Sequence, residues 1–180
     1  EAGNGAEKDL AGALALYQKG CELEELDSCF WAAVAIEEGR GTTPDKITAR
    51  GLYGKNCERN HARSCAQYGY LLQQKLLPET KRDYKGARVA YQKACTMGNS
   101  IACHNLAILQ EWGDGGPRDY PTALANYDKA CEMSYASACA ALSRFYGSGL
   151  GVVSNPGLSA AYLNRACELG HQQSCKRLGR

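Results

Sequence analysis

The sequence predicts an all-α fold: an α-α solenoid of five helix-turn-helix repeats, each with an internal disulfide. Three observations predict it. The ten cysteines form five pairs with the same internal spacing. The first members of the pairs, Cys21, Cys57, Cys95, Cys131 and Cys167, follow one another at intervals of 36, 38, 36 and 36 residues. A small residue, a large one and then cysteine stand at four-residue steps before each turn, which marks one face of a helix. A period of this length belongs to helical solenoids, in which each unit buries its apolar face against its neighbours.

Each repeat opens on a helix cap. Twelve positions before the first cysteine stands Asp9, Asp45, Asp83, Asp119 or Asn155. All are residues whose short side-chain oxygen accepts a hydrogen bond from an amide of the first helical turn. The first helix of the pair, helix A, then carries Ala13, Ala49, Ala87, Ala123 or Ser159, followed by Tyr17, Tyr53, Tyr91, Tyr127 or Leu163. In the turns after the cysteine, Gly98 and Gly170 occupy the third place, where a left-handed helix-ending conformation suits glycine. Helix B follows, with Ser28, Ala32 and Ala35 in the first repeat and Ala138, Leu142 and Phe145 in the fourth at i, i+4, i+7. The longer connections GRGTTP, QQKLLPET, GDGGPR and GSGLGVVSNP are rich in glycine and proline and join one hairpin to the next. The repeats run over about residues 9–44, 45–82, 83–118, 119–154 and 155–180, the last incomplete, as one array through residues 1–180.

The cysteine spacing has a geometric reading. Residues eight apart on one straight helix are separated by about 12 Å along its axis, whereas a disulfide needs its Cα atoms within about 7 Å. A chain that reverses between them brings the end of helix A to the start of helix B. The pairs are therefore Cys21–Cys29, Cys57–Cys65, Cys95–Cys103, Cys131–Cys139 and Cys167–Cys175, with none left over. Zinc is disfavoured, because structural sites place two to four residues between cysteines and add a second pair or histidines. Ten buried free thiols would explain burial but not the pairing. Five disulfides place the chain in an oxidising compartment.

Charge and composition exclude more than they identify. The 21 basic and 19 acidic residues leave a formal charge of +2, which gives no electrostatic argument for a nucleic-acid partner. The run FWAAVAI at residues 30–36 is far shorter than the roughly 18 residues of a membrane span, so no membrane insertion is expected. The chain opens at Glu1 without a methionine or an apolar leader, which is compatible with removal of an upstream segment and with secretion. His61, His104 and His171 lie in three separate repeats, with no HExxH arrangement, and no metal or other cofactor is expected. GSGLG at residues 147–151 lacks the Gly-Lys-Ser/Thr of a phosphate loop and reads as a turn. Lys19, Lys55, Lys93, Lys129 and Arg165 sit two before each first cysteine, in the last turn of helix A, where the helix dipole favours a cation.

The pattern D-x3-A-x3-Y-x-K-A-C-x7-C, whole at residues 83–103 and again at 119–139, resembles the Sel-one-like repeat, a relative of the tetratricopeptide repeat. Its cysteine-bearing form is similar to the Helicobacter cysteine-rich proteins, secreted solenoids whose repeats each close a disulfide. The resemblance covers Asp9 to Arg180. It departs at Leu163, at Gly20 and Asn56 in place of alanine, and in the second connection, longer by two residues. It implies a right-handed α-α superhelix of helix pairs whose concave surface binds a protein or peptide, in a secreted or periplasmic scaffold that is not an enzyme. Two alternatives come with it. Some cysteine-rich members are described as penicillin-binding proteins or weak β-lactamases, yet no catalytic residue is assigned here: the Ser-x-x-Lys, Ser-Asp-Asn and Lys-Thr-Gly elements are all missing. Ser174 with Arg177 is the nearest approach, and arginine cannot act as a neutral base. Cysteine-rich repeat proteins of the mitochondrial intermembrane space, assembly factors for cytochrome oxidase, are the second likeness.

Partner contacts are expected where the repeat pattern relaxes. Three and seven positions before the first cysteine the residue changes from repeat to repeat, and Gln18, Arg50, Arg88, Gln92, Asp128 and Asn164 supply polar groups suited to a peptide backbone.

Overall fold

The structure, a computed structural model, describes residues 9–77 and 81–180. These contain ten α-helices and no strand. Helices A are α1 (Leu10–Glu22), α3 (Lys46–Glu58), α5 (Tyr84–Thr96), α7 (Tyr120–Glu132) and α9 (Pro156–Glu168). Helices B are α2 (Leu26–Glu38), α4 (Ala62–Leu72), α6 (Ser100–Trp112), α8 (Ala136–Ser148) and α10 (Gln172–Arg177). The chain groups into two compact units that meet in sequence between Arg82 and Asp83.

All five expected caps form. The side chains of Asp9, Asp83, Asp119 and Asn155 accept from the amides of Gly12, Gly86, Thr122 and Leu158, and Asp45 accepts from both Ile47 and Thr48. Thr48 and Thr122 also donate their hydroxyls to the second oxygens of Asp45 and Asp119, at 2.6 Å each. Those bonds, chiefly the threonine hydroxyl, hold both carboxyls below their ordinary range. Each helix pair is closed as the spacing requires, with Cα atoms 4.4 to 4.8 Å apart in all five disulfides.

The small-Tyr-Cys face is the core. In the first unit Leu14, Phe30, Ala49, Tyr53 and Leu71 pack together, and in the second Ala123, Tyr127, Leu142 and Phe145 do so around the Cys95–Cys103 and Cys131–Cys139 bridges. Tyr53, Tyr91 and Tyr127 are at most 1% exposed. A buried phenol needs a partner. Tyr53 donates its hydroxyl to Glu37 at 3.1 Å and Tyr127 to Glu111 at 2.8 Å, each on the helix B of the preceding repeat. Burial first, then the adjacent carboxylate, drives both phenols well above their usual pKa.

The connections explain why the second repeat differs. Gly41, Gly115 and Gly151, each twelve residues past a second cysteine, have φ of 79°, 75° and 64° and lie against the first residue of their own repeat's helix A or its neighbour. The second repeat has Leu77 at this place and the longer connection. A Cβ on Gly115 would overlap the backbone carbonyl of Tyr84, whereas one on Gly98, at φ 84°, meets nothing within 4 Å. Gly98→Ala should therefore cost only the left-handed penalty, about 1 to 2 kcal/mol. Gly115→Ala should cost clearly more in urea denaturation, because the backbone must also move. Equal losses would show that the close approach to Tyr84 contributes nothing.

Candidate functional site

Of the six positions expected to meet a partner, three bond groups of the chain itself. Arg88 donates to the carbonyls of Leu109 and Pro117, at 2.7 and 3.1 Å, and so pins the connection after α6. Asp128 accepts from the Tyr162 hydroxyl at 3.0 Å, and burial, followed by that carboxylate, pushes the Tyr162 phenol up to about 12. Asn164 bonds the Ala160 carbonyl of its own helix. Gln18 and Gln92 are exposed and Arg50 is half-buried. Arg88, Val89 and Gln92 line a shallow groove of about 470 Å³ between α5 and α6, with Leu106 and Gln110 opposite.

The basic row is structural in two repeats in a way that the dipole argument only half anticipates. Lys129 and Arg165 donate to the carbonyls of Cys95 and Cys131, at 2.9 and 3.1 Å. Each thus caps the end of the preceding repeat's helix A as well as sitting in the last turn of its own.

The second unit holds a larger cleft that sequence reasoning did not find. It measures about 590 Å³ and is lined from three successive helices B, with Tyr127 of α7 behind them. Ile108 and Trp112 of α6 form one wall, Ala140 and Ala141 of α8 the floor, and Gln173 and Arg177 of α10 the opposite rim. Trp112 is 63% exposed. At the inner end Glu111, whose side chain is 7% exposed, accepts on one oxygen from both Tyr127, at 2.8 Å, and Arg144, at 2.7 Å. The Arg144 guanidinium also lies 5.1 Å from the Phe145 ring centre, a cation–π distance. His104 sits between Tyr127 and Tyr135, ring centres 5.4 and 5.0 Å away. Burial lowers its pKa to about 4 against the opposing pull of Glu111, so its ring is neutral at neutral pH.

His61 and His171 are helix caps. His61 accepts from the Ser64 amide on Nδ1, at 3.3 Å, and His171 accepts in the same way from the Ser174 amide, at 3.2 Å. The serine hydroxyls lie 2.8 Å from the same nitrogens, and Asp27 lies 3.2 Å from His61 Nε2. Ser64, His61 and Asp27 thus form a chain of hydrogen bonds like a hydrolase triad. Ser64 is wholly buried and its oxygen also accepts from Asn56, while Ser174 is 2% exposed. Ser64 is closed to a carbonyl substrate in this conformation, and Ser174 borders the cleft between α6, α8 and α10 with almost no exposed surface. The signal for this cap was legible as His-x-x-Ser at the start of helix B, a place that Asn99 fills in the third repeat. Among the described residues no group of three or more metal-ligating side chains converges, and no helix is long and apolar enough to cross a membrane.

Comparison with known proteins places this architecture. The profile of the Sel1 repeat matches at residues 1–24, 26–61, 62–99, 100–135 and 136–171, a frame that counts most repeats from helix B to the following helix A. No curated protein sequence matches significantly. Among solved structures, a Sel1 repeat protein from Oxalobacter formigenes is 25% identical over 98% of this chain and 71% of its own length, with a TM-score of 0.87. Helicobacter pylori cysteine rich protein B is 26% identical over 76% of this chain and 98% of its own, with a TM-score of 0.58. The protein c5321, a protective antigen present in uropathogenic Escherichia coli strains, displays an SLR fold. It is 24% identical over 96% of this chain but only 36% of its own, with a TM-score of 0.87, and that likeness is one of fold alone.

Proposed function

The chain belongs to the Sel1 repeat family, and we propose that it is a secreted or periplasmic scaffold, not an enzyme, that binds a protein or peptide. Sel1-type repeats are a protein-interaction architecture, and repeats that stack a common core leave their outward positions free to vary. The observation that carries the reading is the division of labour within each repeat. The small-Tyr-Cys face and its disulfide recur almost unchanged and are spent on packing, while Gln18, Arg50 and Gln92 present polar groups with no protein partner among the described residues. Such a surface is held rigid before binding, so little ordering entropy opposes association. Five disulfides are the argument for an oxidising compartment, and the periplasm or extracellular space is the narrower proposal.

The test is a photo-crosslinking amino acid placed at Gln18, Arg50 or Gln92 in the source cell, followed by fractionation and mass spectrometry. The expected result is a discrete protein adduct in the periplasmic or secreted fraction that disappears when the disulfides are reduced. A protein found only in the cytosol with free thiols, and no adduct from any of the three sites, would remove the proposal.

A further inference from the structure

The cleft between α6, α8 and α10 has features of a ligand site that the repeat architecture does not require. Arg144 uses one N–H on Glu111, and its side chain is still 44% exposed, with no other hydrogen-bond partner among the described residues. A guanidinium has five N–H donors in a fixed fork, so Arg144 is oriented by Glu111 while keeping donors for a second acid. Across the floor, Arg177 is exposed and has no ion pair among the described residues. The segment that bears it, from Gly170 to Arg180, contains Lys176, Arg177 and Arg180 and no acidic residue. Glu111 is the one carboxylate among the cleft-lining residues, against the two arginines Arg144 and Arg177. On the far wall Trp112 and Ile108 offer an apolar surface, and alanines at 140 and 141 let a backbone approach the floor. Exposed tryptophan beside arginine is the composition that concentrates binding energy at protein interfaces.

We infer that this cleft receives an acidic segment of a partner protein, in which an Asp or Glu side chain bonds the Arg144 and Arg177 guanidiniums while a neighbouring aromatic or branched apolar side chain packs on Trp112. The volume suits a short run of peptide, and charge complementarity sets its sign. The inference rests on the reading of the chain as a protein-binding scaffold and adds the place and the chemistry of one contact.

The probe is a displayed library of random dodecapeptides, selected on the oxidised full chain at low salt, with enriched peptides resynthesised and titrated by fluorescence anisotropy. Enriched peptides should carry an acid within two positions of an aromatic or branched residue. Amidating that acid, Trp112→Ala or Arg177→Gln should each weaken binding about tenfold, the loss expected for a central contact. Arg144→Lys, which keeps the charge but not the fork, should weaken it several-fold, and raised ionic strength should weaken it further. Trp112 and Arg177 are exposed, so these two variants should keep the parent melting temperature. Enriched peptides without an acid, or peptides that bind the Trp112 and Arg177 variants as well as the parent, would overturn the cleft assignment and leave the scaffold reading standing. A library that yields no binder would overturn both.

Discussion

Reduction of the five disulfides is expected to unfold the chain at 37 °C. Each bridge joins residues at a sequence separation of 8, and in the chain-entropy account a loop of that size stabilises by about 2 to 3 kcal/mol. Five together give about 10 to 15 kcal/mol in that account, as large as the net stability of a typical domain. The fold has little else to replace them, because much of its core consists of alanines and the cysteines themselves. A phosphine reductant should therefore abolish the cooperative far-UV melting transition. Alkylation should label no cysteine before reduction and all ten after it. Removing one bridge, with Cys95→Ala and Cys103→Ala together, should cost about 2 to 3 kcal/mol in urea denaturation. The bridges should not open together under limiting reductant. Cys131–Cys139 is wholly buried, whereas both cysteines of Cys167–Cys175 are partly exposed, so the last repeat should open first. A chain that melts at the same temperature after full reduction would show that helix packing alone suffices.

The sequence carried the repeat because its signals are local. A cap, a helical face and a reversal between two cysteines are each decided within about twenty residues, and all five copies repeat the same decision. Cross-repeat contacts were not legible. Glu37 and Glu111 share one position, eight residues after a second cysteine, but that they meet Tyr53 and Tyr127 is decided by the connection that sets the register between repeats. Arg88 and Asp128 looked free at positions where the repeat pattern relaxes. In fact each bonds a specific neighbour: Arg88 holds the connection after α6 in its own repeat, and Asp128 accepts from Tyr162 of the repeat that follows. The cleft escaped notice for a similar reason. Its lining comes from helices B in three repeats, and the shared property is a low floor at Ala140 and Ala141 that shows only once the helices stand side by side.

Repeats also provide an internal control on what burial of one residue contributes. Tyr17 and Tyr127 occupy the same place four residues before a first cysteine, yet Tyr127 is 1% exposed and Tyr17 is 38% exposed. The difference is a covering helix: α6 lies over Tyr127 and receives its hydroxyl on Glu111, whereas among the described residues no helix precedes α1. Tyr127 packs edge-on against Phe145 at 5.4 Å between ring centres and closes the inner end of the cleft. Tyr127→Ala should therefore cost about 3 to 5 kcal/mol, the range for removing a buried aromatic, because the cavity cannot collapse between bridged helices. It also leaves the Glu111 carboxylate with Arg144 as its one remaining partner. Tyr17→Ala should cost about 1 kcal/mol or less, since much of its ring already meets water. Tyr127→Phe separates the two contributions: it keeps the ring and should cost about 1 kcal/mol for the lost hydrogen bond. Urea denaturation of the three variants reads all of this directly. Equal losses at Tyr17 and Tyr127 would mean that the repeat position itself, and not the helix laid across it, sets the energy.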